Sequence, residues 1–148
     1  MAALPDTFVS IADLGSGAGI PGLVIALNRP DLEVRLVERS AKRADGLARA
    51  VTRLGLPPRV TVWKGDAREI ATRTDWPGPV DAVVCRSFSP PDQLFKAASP
   101  LVAPGGQILI SEPPGSDGSR WQDKAPPGIK LLGVQDGIAT FSVFHVKH

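Results

Sequence analysis

This chain has little of what several kinds of chemistry require. It carries a single cysteine, Cys85, in 148 residues, which excludes an internal disulfide. Its two histidines, His145 and His148, stand at the end of the chain, and no spacing of Cys and His suits a metal ion. No run of about 18 apolar residues and no charged-then-apolar leader occurs. The expected compartment is therefore the cytoplasm, with no membrane and no metal among the partners. Charge of one sign is also scarce: 17 Lys and Arg face 15 Asp and Glu, for a formal net charge of +2. This permits a nucleic acid partner without requiring one. No internal repeat is present, and the length suits one domain with a real core, residues 1–148, while being too short for two of ordinary size.

What is present is a glycine-rich junction. Residues 8–14 are apolar and β-favouring and contain no proline, and Ile20, Leu23, Val24 and Leu27 recur at helical spacing. Between them lies Asp13-Leu14-Gly15-Ser16-Gly17-Ala18-Gly19-Ile20-Pro21-Gly22. A strand thus runs into a glycine turn that opens a helix, where the backbone turns tightly and leaves room for a ligand. The dinucleotide fingerprint would place its third glycine where Ile20 stands. The match is instead to Asp-x-Gly-x-Gly-x-Gly, with Asp13, Gly15, Gly17 and Gly19, which resembles the first motif of the Rossmann-like S-adenosylmethionine (SAM) methyltransferases. Glu38 ends the next apolar run, Val34-Arg35-Leu36-Val37, where a carboxylate accepts hydrogen bonds from both hydroxyls of a ribose.

The rest of the chain alternates. Strands are predicted over 33–38, 59–64, 80–85 and 107–111, and helices over 41–54 and 91–101, with Pro104-Gly105-Gly106 as a turn into the fifth strand. The pattern implies a doubly wound, mostly parallel sheet with helices on both faces, a Rossmann-like α/β fold. Two further apolar runs, 130–134 and 138–146, flank Gln135-Asp136-Gly137 and predict an antiparallel hairpin that closes the sheet. Residues 113–128, dense in Pro, Gly, Ser and Asp, read as a loop with at most one short helical turn.

In such sheets ligands lie beyond the carboxyl ends of the strands. That rule gathers Gly15, Ser16, Gly17, Gly19 and Ile20, then Glu38 and Arg39, then Asp66, Ala67 and Arg68, then Arg86, around one cleft. Asp66 is suited to accept from an adenine amino group, or to cap the segment 67–72, and the two roles are compatible. Arg86 offers a fork of donors to a carboxylate or a phosphate. Cys85 ends an apolar strand with no Pro-Cys pair beside it and reads as a buried, inert thiol. On the helix over 41–54, Ala44, Leu47, Ala48, Val51 and Leu54 fall on one face, with Lys42, Arg49 and Arg53 opposite. This basic stripe reads either as a solvated face or as a phosphate-contacting one, and Arg39, Lys42 and Arg43 are the part nearest the cleft. No Asn/Asp-Pro-Pro-aromatic motif follows the fourth strand, which argues against methylation of exocyclic amines.

With these residues together, the chain resembles the RsmG (GidB) family of bacterial methyltransferases. The resemblance rests on the glycine junction with its Ile20-Pro21-Gly22, on Glu38-Arg39-Ser40 followed by Lys42-Arg43, and on Cys85-Arg86-Ser87-Phe88-Ser89. It implies SAM as cofactor, the small ribosomal subunit as partner, and methyl transfer to guanine N7 in 16S ribosomal RNA. Gly15, Ile20, Ala67, Arg68 and Arg86 would line the SAM site. The chain departs from the family pattern in three places. Residues 1–7 stand where relatives carry a helical extension, Ala67-Arg68 replaces Ala-Glu, and Ser111-Glu112 precedes Pro113-Pro114 where a Lys-Gly pair is usual. The mild charge, the missing extension and Glu112 keep open a second reading, a SAM methyltransferase acting on a small molecule or protein, and a third is a SAM-binding module that keeps the fold without catalysis.

Overall fold

The computed structural model describes residues 4–15, 21–86, 90–112, 115–121 and 123–144. Seven strands and three α-helices follow one another as β1 (Ser10–Leu14), α1 (Gly22–Asn28), β2 (Glu33–Glu38), α2 (Ala41–Arg53), β3 (Val60–Lys64), β4 (Val80–Arg86), α3 (Pro91–Ala98), β5 (Val102–Ser111), β6 (Ile129–Gln135) and β7 (Ile138–Val143). They form one sheet in the order β3-β2-β1-β4-β5-β7-β6. The first five strands pair in parallel, and β7 runs antiparallel to both β5 and β6. The direction of winding reverses between β1 and β4, so the carboxyl ends of those two strands flank the crevice.

Alternation along the strands divides the core in two. Ile11, Val34, Leu36, Ala82 and Val84 pack with Ile25 and Ala26 of α1 and Leu47 and Val51 of α2. Ala12, Leu14, Val37, Val83 and Cys85 pack on the other side with Leu94 and Phe95 of α3. Strands buried on both faces need near-continuous apolar runs, which is why β4 reads Val-Asp-Ala-Val-Val-Cys-Arg. The hairpin between β6 and β7 turns at Asp136 and Gly137, whose φ values of 53° and 75° are both positive. That is the backbone an Asp-Gly pair favours.

Four details differ from the sequence reading. Strand β5 begins at Val102 and runs through Pro104-Gly105-Gly106 instead of starting after it. The register against β4 shifts between Val80 and Ala82, and a Cβ on Gly106 would lie 2.4 Å from the Asp81 carbonyl oxygen. The glycines therefore build an irregularity inside a strand, the other common use of Gly in a sheet. Second, the expected helix over 91–101 is α-helical only to Ala98 and tightens into a 3-10 turn at Ser99–Leu101, where Pro100 lacks an N–H for α-helical bonding. Third, the segment 67–72 that Asp66 is read as capping is no more than a 3-10 turn at Ile70–Thr72 between β3 and β4. Trp63 and Trp76 meet edge to face at 5.0 Å, with Arg35 over the Trp76 ring at 4.9 Å, and cover the core there. Fourth, Ala48 and Leu54 of the α2 region are exposed, while Ala44, Leu47 and Val51 are buried.

Arg59 is a fold residue that apolar periodicity does not reveal. Its guanidinium donates to the carbonyl oxygens of Ala26 at 2.8 Å, Leu32 at 3.2 Å and Arg29 at 3.4 Å. A cation thus satisfies the carbonyls at and beyond the C-terminus of α1, where the helix dipole is negative. Arg59→Ala is expected to destabilise the fold by about 1–2 kcal/mol through those unpaired carbonyls, read as a lower urea midpoint at unchanged slope.

Candidate cofactor site

The glycine junction is shaped from beneath. Asp13 is 1% exposed, and its Oδ2 accepts a 2.7 Å hydrogen bond from the Gly22 N–H. This ties the end of β1 to the first residue of α1. Asp13 therefore sets the turn that opens α1. Gly15 has φ +73°, and among the described residues nothing lies within 4 Å of where its Cβ would stand. Its N–H donates to the Val37 carbonyl oxygen at 2.9 Å, which fastens the turn to β2. Ser16, Gly17, Gly19 and Ile20 lie outside the described residues.

Glu38 closes β2 at the same end of the sheet. It is 4% exposed, and its Oε2 accepts from the Ser40 N–H at 3.1 Å. Ser40 caps α2, its side chain accepting from the Arg43 N–H. The Arg43 guanidinium returns to within 4.0 Å of Glu38 Oε1. Arg39, Lys42 and Arg43 are all exposed around this junction.

Asp66 follows β3 and holds Arg68 with both carboxylate oxygens, at 3.1 Å to Nε and 2.7 Å to Nη2, while also accepting from the Arg68 N–H at 2.9 Å. Its backbone carbonyl takes the Glu69 and Ile70 N–H groups, so the residue starts the turn that leads to Ile70–Thr72. Arg68 thus takes three of the hydrogen bonds that the Asp66 carboxylate can accept. The Arg68 side chain and N–H, with the charge of Arg39 nearby, hold the Asp66 carboxyl at about 2. The folded value lies below the ordinary 3.8, so this group's stabilisation is complete above about pH 4 and is lost as pH falls toward 2. Asp66→Asn is expected to lower stability at neutral pH, with the difference from wild type vanishing toward pH 2. A difference that stays constant with pH in urea titrations would refute the assignment.

Cys85 is fully buried and its thiol is pushed far above the ordinary range by that burial and by Asp13, which leaves it unreactive. Arg86, one residue on, is exposed at the end of β4, and residues 87–89 lie outside the described residues. The carboxyl ends of β1 to β4 therefore bring together Gly15, Glu38, Arg39, Arg43, Asp66, Ala67, Arg68 and Arg86. Glu112, the acidic residue beside this cleft in the sequence, has its carboxylate entirely buried against Arg120 at 2.7 Å. Among the described residues no group of three or more His, Cys, Asp or Glu is arranged to hold a metal ion, and no helix is long and apolar enough to cross a membrane.

Comparison with known proteins decides the family. The model of the GidB family, described as rRNA small subunit methyltransferase G, matches residues 1–112. The chain belongs to this family. The small subunit methyltransferase G of Salinispora tropica is 44% identical over 102 residues, covering 68% of this chain and 42% of that protein. Its counterpart in Kineococcus radiotolerans is 43% identical over 140 residues, covering 88% of this chain and 54% of that one. The chain thus spans about half the length of the curated GidB relatives it matches. Among solved structures, the apo form of the S-adenosylmethionine-dependent methyltransferase SibL superimposes with TM-score 0.69 at 17% identity, over 97% of this chain and 53% of that one. At that identity the likeness concerns the fold, and it confirms the Rossmann-like sheet with its antiparallel end.

The site residues that sequence reasoning missed are those that shape the junction. Gly22 was legible as part of a motif, but its contact with Asp13 was not. The pairing of Asp66 with Arg68 had a signal in the i, i+2 spacing of opposite charges after a strand.

Proposed function

We propose that this chain is a SAM-dependent methyltransferase domain that transfers a methyl group to guanine N7 in 16S ribosomal RNA of the small subunit, in the cytoplasm. The observation that carries the reading is the buried Glu38 carboxylate beside the open face of Gly15, at the ends of adjacent parallel strands, in a chain of the GidB family. A carboxylate there matches the two hydroxyls of a ribose, and an exposed guanidinium at Arg86 matches the cofactor's carboxylate or an RNA phosphate. Bound SAM would supply an electrophilic methyl group on a sulfonium.

The protein's residues have modest work beyond that. Guanine N7 carries a free lone pair, so no side chain has to remove a proton and the reaction needs no general base. Rate comes from holding the acceptor in line and from excluding water. Arg39, Lys42 and Arg43 are placed to meet RNA phosphates at the mouth of the cleft. Burial of Glu112 removes one of the three features that had favoured a small-molecule or protein acceptor.

The test has two stages. Calorimetric titration is expected to show micromolar binding of SAM and S-adenosylhomocysteine, and hypomethylated small ribosomal subunits are expected to accept labelled methyl groups. Binding without turnover would leave a SAM-binding module, and no binding by the wild type would sink the reading.

A further inference from the structure

Glu112 stands directly after β5 and makes an arrangement that the cofactor does not explain. Ser111 pairs in register with Arg86, so Glu112 lies one residue beyond the level of Arg86 on the carboxyl rim of the sheet. Its side chain is 0% exposed and accepts hydrogen bonds from Arg120 Nε at 2.7 Å and from Trp121 Nε1. Its backbone N–H donates to the Gly137 carbonyl oxygen at 2.6 Å, in the turn of the β6–β7 hairpin. Trp121 in turn packs edge to face on Phe95 at 5.7 Å and on Phe141 at 5.3 Å, and the Arg120 guanidinium lies over the Trp121 ring at 4.3 Å. Glu112 therefore ties β5 to the 3-10 turn Ser119–Trp121 through its carboxylate and to the closing hairpin through its backbone N–H, with α3 reached through Trp121.

Stability alone is a poor reason for this arrangement, because a buried ion pair is commonly no more stabilising than apolar side chains of the same size. What such a pair does well is fix one geometry. The cofactor-facing groups Gly15, Glu38 and Asp66 belong to β1, β2 and β3, on one side of the point where winding reverses. The part of the rim those groups leave for an acceptor is the other side, over the ends of β4 and β5. There the Arg120 partner neutralises Glu112, and the exposed Arg86 is a charge the rim presents to an anionic acceptor.

We propose that Glu112 is a positioning residue for the methyl acceptor, fixing through Arg120 and Trp121 the end of β5 at the acceptor side of the cleft; the inference rests on the methyltransferase reading above. The test compares wild type with Glu112→Ala, Glu112→Gln and Arg120→Ala, measuring SAM affinity by calorimetry and steady-state methyl transfer to hypomethylated small ribosomal subunits. SAM affinity is expected to stay within about twofold of wild type in all three. The KM for subunits is expected to rise about tenfold in Glu112→Ala and Arg120→Ala and about threefold in Glu112→Gln, which keeps one acceptor oxygen, with kcat changing less than KM. If Glu112→Ala does not fold, the other two variants carry the same comparison. An unchanged KM in a methylating protein overturns the inference alone. A loss of SAM affinity in step with melting temperature also overturns it, since the clasp would then be merely structural. A wild type that methylates no subunits, whether or not it binds SAM, overturns the methyltransferase reading and this inference with it.

Discussion

Replacing Gly22 with alanine is expected to destabilise the fold by about 3 kcal/mol, at the upper end of ordinary overpacking, and to lower the melting temperature by about 10 °C. The added Cβ would lie 2.5 Å from Asp13 Oδ2, 2.7 Å from Asp13 Cβ and 2.7 Å from Leu36 Cδ2. None of the three is the loose end of a long side chain. Asp13 is 1% exposed and Leu36 is fully buried, and Asp13 Oδ2 is held by the Gly22 N–H itself. The strain can be relieved only by moving the first turn of α1 away from β1, which opens the junction. Gly15 makes an instructive contrast. Its φ of +73° strains any other residue, but nothing among the described residues meets its Cβ, so Gly15→Ala is expected to cost about 1 kcal/mol. Thermal unfolding without ligand separates the two, and a Gly22→Ala midpoint within about 2 °C of wild type would refute the steric account.

The same contrast explains how far the sequence could be read. Parallel strands buried on both faces advertise themselves as unbroken apolar runs, and Asp136-Gly137 announces a hairpin because few residue pairs tolerate two positive φ values in succession. Glu38 stood out as a candidate because it is a charged residue closing such a run at the second strand. What stayed hidden depends on contacts between residues far apart in the chain. Gly106 looks like part of a turn until the Asp81 carbonyl oxygen is seen 2.4 Å from its would-be Cβ. Glu112 looks like a surface charge until Arg120 and Trp121, eight and nine residues on, are found to bury it. Leu54 fits the apolar helical face by spacing, yet it falls past the end of α2, where it caps the helix and is 47% exposed. Periodicity reports which residues share a face, and it is silent on polar side chains whose partners are set by tertiary packing.

The largest functional effect is expected at Glu38, and the pair of substitutions to glutamine and alanine separates cofactor recognition from folding. The carboxylate serves two purposes: Oε2 accepts from the Ser40 N–H at the entry to α2, and under the proposed reading the group also accepts from the ribose. Glutamine retains a carbonyl oxygen for Ser40 but gives up the second acceptor and the charge, so one hydroxyl of the diol goes unmatched. Hydrogen bonds to charged groups contribute about 1.5–3 kcal/mol each. Glu38→Gln is therefore expected to weaken SAM binding about tenfold, or about 1.4 kcal/mol. Glu38→Ala removes both acceptors and is expected to weaken it about a hundredfold, or about 2.7 kcal/mol. The ligand-free melting temperature should fall in the alanine variant, which leaves the Ser40 N–H without this partner, and stay within about 2 °C of wild type in the glutamine variant. Calorimetric titration with SAM reads the first effect and thermal unfolding the second. If the glutamine variant binds SAM as tightly as wild type, Glu38 is a structural carboxylate at the β2–α2 junction. The ribose would then have to be held by backbone groups of the glycine turn.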